Sequence, residues 1–305
     1  MRRRRSTVSV GVLLLHLQQC LTFQTHHDIG SRVRPRNGAP TIIASSAVTD
    51  KVSPSPEETE LRLDPEAIQL KDDLIALASA TRRGFSASRS DRNKAKEIIN
   101  SLSKYSPCNE PAAAYYTDKE SEGGTTSANR STLAGKWTLI YTDAPDITSL
   151  EGGPFATAKL GRIGQECNPP SIKNVIEWLP PDWAPSLPFV TYDESSRVLQ
   201  KVCCEGSASP ETPKAVDLKL VGLELLGEKG TESGDGDEGS SRSDGFNSIF
   251  GGPAALLKNN PVKLQGPLTA PFGKFEILYL DDEMRITKTY QGYVAVNVRE
   301  ADPWF

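Results

Sequence analysis

Three short runs near the C-terminus, "KFEILYL" (274–280), "MRITKTY" (284–290) and "YVAVNVR" (293–299), are separated only by Asp281-Asp282-Glu283 and Gln291-Gly292. Each run is rich in β-branched and aromatic residues, and each gap has tight-turn chemistry. Runs joined this way pair antiparallel, because a parallel pair needs a crossover of roughly a dozen residues or more. Upstream the same period of two recurs. "GKWTLIYTD" sets Trp137, Leu139 and Tyr141 against Thr138, Ile140 and Thr142, and "KAVDLKLVG" sets Val216, Leu218 and Leu220 against Asp217, Lys219 and Val221. "SIKNVIEWL" and "RVLQKVCCEG" suit strands as well. Many strands with short turns and no helices between them imply a mainly β fold, an antiparallel sandwich or barrel.

The acids in "YLDDEMRI" (279–286) raise the question of a catalytic or metal site, since paired carboxylates serve both purposes. Adjacent carboxylates in a tight turn diverge into water, and no histidine or further acid stands nearby in sequence. The expectation is a solvated hairpin turn that fixes strand register, with no metal.

From Glu57 to Ser106 the pattern is helical. In "LRLDPEAIQLKDDLIALASATRRGF", residues Ile68, Leu70, Leu74, Ile75 and Leu77 approximate one apolar helix face, with Asp64 as cap, Pro65 at the first position and Gly84 as the stop. A second helix begins at Ser90 or Asp91 and stops before Pro107. Residues 57–106 read as a helical hairpin and 107–130 as a polar linker. Residues 227–250 read as a disordered acidic insertion. Its "GDGDEG" (234–239) spells a dinucleotide fingerprint, but three acids would repel the pyrophosphate; as a calcium loop it lacks the required Gly and Glu.

Charge is unevenly placed. Residues 1–50 hold seven Arg and two Asp, so that segment is +5 and the remainder −9 within a total of −4. An acidic body has no footprint for nucleic acid. The basic start, followed by "VSVGVLLLHL" (8–17), reads as a secretory signal over 1–22. The acid-poor, Ser- and Arg-rich stretch after it reads as a transit peptide and disordered linker over 23–56. An ordinary secreted protein is the alternative. All three histidines (His16, His26, His27) fall inside this leader, so the remaining chain has no imidazole for a Ser-His-Asp or Cys-His mechanism or for the usual zinc site. Four further cysteines (Cys108, Cys167, Cys203, Cys204) make no dense disulfide framework, which suits a reducing compartment. Cys203 and Cys204, on opposite faces of a strand, are expected to be one buried and one exposed.

In order along the chain, "TRRGFSAS" (81–88), "LAGKWTLIYTD" (133–143), "GRIGQ" (161–165), "IKNVIEW" (172–178) and "PFGKFEILYLDDEMRITKTYQGYVAVNVR" (271–299) resemble the plastid lipid-associated proteins, or plastid fibrillins. The resemblance covers roughly residues 60–300, with gaps at the linker and the acidic insertion. It implies a lipocalin-like β-barrel over 131–300, a plastid location at thylakoids or plastoglobules, and handling of prenylquinones, carotenoids or fatty acyl lipids. Gly135-x-Trp137 matches the family's counterpart of the lipocalin G-x-W, and Arg285 or Arg299 is then the basic side chain stacked on that Trp.

An eight-stranded antiparallel barrel is filled by its own side chains or holds one small ligand. The ligand-binding expectation rests on Trp137, Leu139, Tyr141, Leu218, Leu220, Phe275, Ile277, Tyr279 and Arg285, the alternative being that they only pack the core. In "EWLPPDWAPSLPFV" (177–190), Trp178, Trp183 and Phe189 are candidates for contact with a lipid surface, against a Pro-stiffened loop folded onto the barrel. The expected function is non-enzymatic, with no catalytic residue and no cofactor: burial of a hydrophobic small molecule at a membrane or plastoglobule surface. One alternative is a scaffold that docks a prenyl-lipid biosynthetic enzyme. Another is an enzyme acting on carotenoid or oxylipin through Glu276 or Tyr279 inside the barrel.

Overall fold

The computed structural model describes residues 64–116, 133–150, 158–180, 197–227, 257–258, 260–265, 271–302 and 304. The expected leader segments (1–22 and 23–56), most of the linker (117–130) and the acidic insertion (228–250) lie outside the described residues.

Nine strands follow two helices. They are β1 (Gly135–Thr142), β2 (Lys159–Asn168), β3 (Ser171–Leu179), β4 (Val198–Ser207), β5 (Ala215–Gly227), β6 (Val262–Gln265), β7 (Pro271–Leu280), β8 (Met284–Thr289) and β9 (Val294–Arg299). The sheet order is β4-β3-β2-β1-β9-β8-β7-β5-β6, and β4 also pairs with β5, so eight strands close into a ring. Every pairing is antiparallel. One edge of β5 carries two strands in turn: Ala215–Lys219 pair with β7 and Gly222–Leu225 with β6. The sequence pattern misses β2 and β6. β2 carries two glycines and β6 is four residues long, so neither shows a strand-like apolar run.

Cross-strand partners share a face, which separates the inside of the ring from the outside. Trp137, Gln165, Asn174, Val202 and Leu223 form one row of successive partners. The opposite face carries Glu166, Lys173, Lys201 and Glu224, linked as Lys201–Glu166 at 3.0 Å and Lys173–Glu224 at 3.4 Å. Charges in pairs, and two packed helices, mark that second face as the outer one, so the row with Trp137 faces inward.

Helix α1 (Pro65–Ala80) and helix α2 (Arg89–Leu102) lie on the outside of the ring. Their Leu74, Leu77, Ile98, Ile99 and Leu102 form one apolar cluster with Tyr141, Tyr279, Ile286 and Val296. α1 buries Ala67, Lys71, Leu74, Leu77 and Ala78, whereas Ile68 and Ile75 remain 47% and 43% exposed. The expected face, which included both isoleucines, is therefore corrected: the helix is turned so that Lys71, not Ile68 or Ile75, meets the barrel. α2 starts two residues before its expected cap, at Ser88, which forms a capping box with Asp91.

Between the helices, Arg82, Arg83 and Gly84 all have positive φ (51°, 63° and 92°). A Cβ on Gly84 would collide with the carbonyl of Thr142, so this bend needs glycine to lie against β1. Thr142 N–H donates to Arg83 O at 3.1 Å, and Arg83 Nη1 donates to Gly161 O at 2.8 Å. The "TRRGF" segment thus pins the helical hairpin to β1 and β2.

The turn after β7 also departs from expectation. Asp281 is buried, not solvated: its Oδ1 accepts from the N–H groups of Glu283 and Met284, and its Oδ2 from Tyr279 Oη at 2.6 Å and Lys71 Nζ at 2.9 Å. Asp282 and Glu283 do point to water, Glu283 being 78% exposed at its side chain. Asp281 sets the turn, and it shares Lys71 of α1 with the exposed Glu283, whose Oε2 lies 2.7 Å from Nζ.

Cys203 and Cys204 are both buried, at 8% and 1% exposure, in place of one buried and one exposed. They do face opposite ways, as the pairing of Cys203 with Lys173 on the outer side and of Cys204 with Ile172 on the inner side requires. The outer one is covered by the Lys and Glu side chains that pair across β2 to β5.

Candidate functional site

The two ends of the ring differ, and one of them is closed by apolar packing. At the closed end β1 begins and β2, β4, β7 and β9 finish. There Ala112, Tyr115 and Leu133 pack with Trp137, Ile172, Phe275 and Ile277 in a single apolar cluster. At the other end, the strand ends Lys159, Leu179, Val198 and Gly227 lie side by side through direct pairings. The long connections 143–158, 180–197 and 228–261 all join strands at that end.

Trp137 anchors the closed end. Its Nε1 donates to Leu133 O at 2.9 Å, and two guanidinium groups lie over its ring, Arg299 Cζ at 4.3 Å and Arg285 Cζ at 5.1 Å from the centroid. The choice between Arg285 and Arg299 as the stacked cation is answered by both. Arg299 reaches out of the ring to the carbonyls of Ala134 and Asp282, whereas Arg285 stays inside at 1% exposure. Arg285 Nη1 donates to Cys167 Sγ at 3.2 Å and Nη2 to Gln165 Oε1 at 2.7 Å; its Nε is buried with no partner.

Above this layer the inside becomes accessible. Gln165, Asn174, Ile176, Gln200, Val202 and Leu225 all face inward by register yet are only half-buried. Side chains inside a closed ring contact solvent only through space within it, so the inner face above the Trp137 layer is incompletely filled, and this space is the candidate lumen. Its walls are mixed: Gln165 Nε2 donates to Asn174 Oδ1 at 2.6 Å beside Leu139, Ile163 and Leu223. Trp178 stands at the mouth, half-buried, with Nε1 donating to Gln200 Oε1 at 3.1 Å.

The expected site residues fall into three groups. Trp137, Leu139, Leu218, Leu220, Phe275, Ile277 and Arg285 face the interior, and Trp178 faces the mouth. Tyr141 and Tyr279 do not join them. The register shifts by one residue between Leu139 and Tyr141 and again between Ile277 and Tyr279, and each bulge turns the tyrosine outward beneath the helices. Trp183 and Phe189 lie outside the described residues. Glu276 is exposed on the outer face, so neither it nor Tyr279 offers acid-base chemistry in the lumen. Gln165, Asn174 and Gln200 were not anticipated. In "RIGQEC" (162–167), Ile163, Gln165 and Cys167 alternate with Arg162, Gly164 and Glu166, a weak signal masked by glycine and charge.

Two acidic groups of the interior hold their protons more tightly than usual. Burial pushes the Cys204 thiol up to about 12, and burial beside Cys167 raises the Tyr115 hydroxyl well above the usual phenol range. Among the described residues no three His, Cys, Asp or Glu side chains gather to hold a metal. A separate groove of about 520 Å³ lies at the closed end, bordered by Tyr116, Pro169, Pro170, Glu205 and Lys219. Tyr115 and Gly206 line this groove, and Tyr115 and Ile172 pack against Gly206 within the apolar cluster that contains Trp137.

Residues 68–193 match the sequence model of the PAP_fibrillin family, a span that runs from α1 through β3. No curated protein and no solved structure matches the chain.

Proposed function

We propose, from the premise that this chain belongs to the plastid lipid-associated protein (fibrillin) family, that its barrel is a non-enzymatic container for a hydrophobic isoprenoid or acyl lipid at thylakoid or plastoglobule surfaces. The observation that carries this reading is the set of inward-facing but half-exposed residues Asn174, Ile176, Val202 and Leu225 above the packed layer at Trp137. The driving force is burial. An apolar chain leaving water gains about 25 cal/mol per Å² covered, and a preformed lumen needs no catalytic group to collect it. Trp178 at the mouth supplies the amphipathic aromatic surface suited to a lipid-water boundary.

Two tryptophans make the test direct, since Trp137 closes the lumen and Trp178 borders its opening. Full-length protein titrated with decyl-plastoquinone, β-carotene and decanoate is expected to show saturable quenching with at least one of them, and Val202→Phe to weaken it severalfold. Absence of saturable binding by all three overturns the container reading.

A further inference from the structure

We propose that Arg285 is the headgroup receptor of the lumen, and that the ligand is a chain-bearing monocarboxylate and not a neutral lipid. This rests on the container reading above and narrows it to a chemical class. The motivating observation is a missing partner. Arg285 is 1% exposed, and among the described residues no carboxylate pairs with it. The groups against it include no carboxylate: the Trp137 ring, the Gln165 amide, the Cys167 sulfur, and its cross-strand partners Leu280 and Asn297. Tyr115, also within electrostatic reach, keeps its hydroxyl proton.

Buried cations in folded proteins are ordinarily paired, because an unpaired charge away from water is strongly unfavourable. Elsewhere this chain obeys that rule: Lys71 is buried against Asp281 and Glu283, and Glu177 against Arg162 and Arg197. Arg285 departs from it on the inner face of the ring, beside Trp137. Of its five N–H donors, two are engaged, by the Cys167 sulfur and the Gln165 amide oxygen, and Nε has no partner. A guanidinium in that state matches a carboxylate in charge and in its two-pronged geometry.

Gln165 is the group that gives way. It is half-buried, its Oε1 occupies Arg285 Nη2, and its Nε2 donates to Asn174, its cross-strand neighbour on β3. An incoming carboxylate replaces Gln165 Oε1 on Arg285, and the amide swings toward Asn174. The alkyl chain then runs up past Leu139, Val202 and Leu223 to the mouth at Trp178.

Decanoate and 1-decanol have the same chain and differ in the charge of the head, so calorimetric titration of full-length protein at pH 8 with each tests the proposal. Decanoate is expected to bind at least tenfold more tightly than decanol. Gln165→Glu places a carboxylate on Arg285 from within, and is expected to reduce that preference at least tenfold. Arg285→Leu should reduce it likewise, but Gln165→Glu decides the matter because it leaves the cation in place. Equal affinities in the unmodified protein, or an unchanged preference in Gln165→Glu, overturn the headgroup assignment while leaving the container reading intact. Failure of both compounds, of decyl-plastoquinone and of β-carotene to bind removes the container reading and the headgroup with it.

Discussion

Lys71 and Asp281, 210 residues apart in the chain, meet with 2.9 Å between Nζ and Oδ2, each less than a tenth exposed. Their contact ties the first turns of α1 to the hairpin between β7 and β8.

Removing one member leaves the other charged and buried, which is more damaging than losing the pair together. Lys71→Met is expected to destabilise by roughly 3 kcal/mol, the lower end for breaking a buried pair, since Asp281 keeps Tyr279 and two backbone N–H groups. Glu283→Gln, with a side chain 78% exposed, should change stability by less than about 1 kcal/mol. Urea denaturation of the two variants checks the contrast.

The same pair sets a pH window. Burial opposes charge on Asp281, but hydrogen bonds from Tyr279, Lys71 and the backbone outweigh it and hold its carboxyl below the usual range. Its contribution is therefore present above the ordinary carboxylate value and lost as pH falls through the depressed one. Burial likewise opposes charge on Lys71, and Glu283 and Asp281 outweigh it and raise its pKa, so that contribution is present below the ordinary lysine value and lost as pH rises through the raised one. Stability should be flat from roughly pH 5 to 9 and fall on both sides. In Asp281→Asn the acid-side slope should diminish, as read by denaturation midpoints across pH.

Gly84 and Gly292 share a positive φ, 92° and 91°, but not their surroundings. Around Gly292 nothing would meet a Cβ, whereas at Gly84 the Thr142 carbonyl stands in the way. Gly292→Ala is expected to cost about 1 kcal/mol from backbone strain alone. Gly84→Ala should exceed it by at least about 1 kcal/mol and loosen the helical hairpin, visible as faster amide exchange in α1 and α2 than in the ring.

A hollow lumen and a packed core respond oppositely to added volume. Val202→Phe overpacks a filled interior at a cost of about 1–3 kcal/mol, but fills space in a hollow one. Since Val202 is half-buried while facing inward, the expected change is under about 0.5 kcal/mol. Thermal denaturation of the variant distinguishes the two.

Much of the ring was legible because strict alternation is the signature of a strand with two unlike faces, and β1, β5, β8 and β9 show it clearly. What alternation cannot reveal is where the count slips. Single-residue bulges within β1 and β7 send Tyr141 and Tyr279 to the helix side, and nothing in "WTLIYT" or "EILYL" marks them. The α1 face failed for a different reason: hydrophobicity pointed to Ile68 and Ile75, but a lysine with a distant aspartate was the better buried residue. Gln165 escaped notice because polar residues inside a barrel look, in sequence, like residues outside it. The double stack on Trp137 needed the register of β8 and β9 together, which no single motif contains.

Each strand of the ring has partners on both sides, so none of the eight offers a template on which another chain could grow. Among the described residues β6 alone is paired on one side only, and its outer edge carries Val262 and Leu264 at 40% and 47% exposure. Among the described residues, strand addition is thereby confined to these four, and Lys263 between the two apolar side chains works against it. A second charge on this edge, as in Leu264→Lys, is expected to lower self-association at high concentration, as read by light scattering.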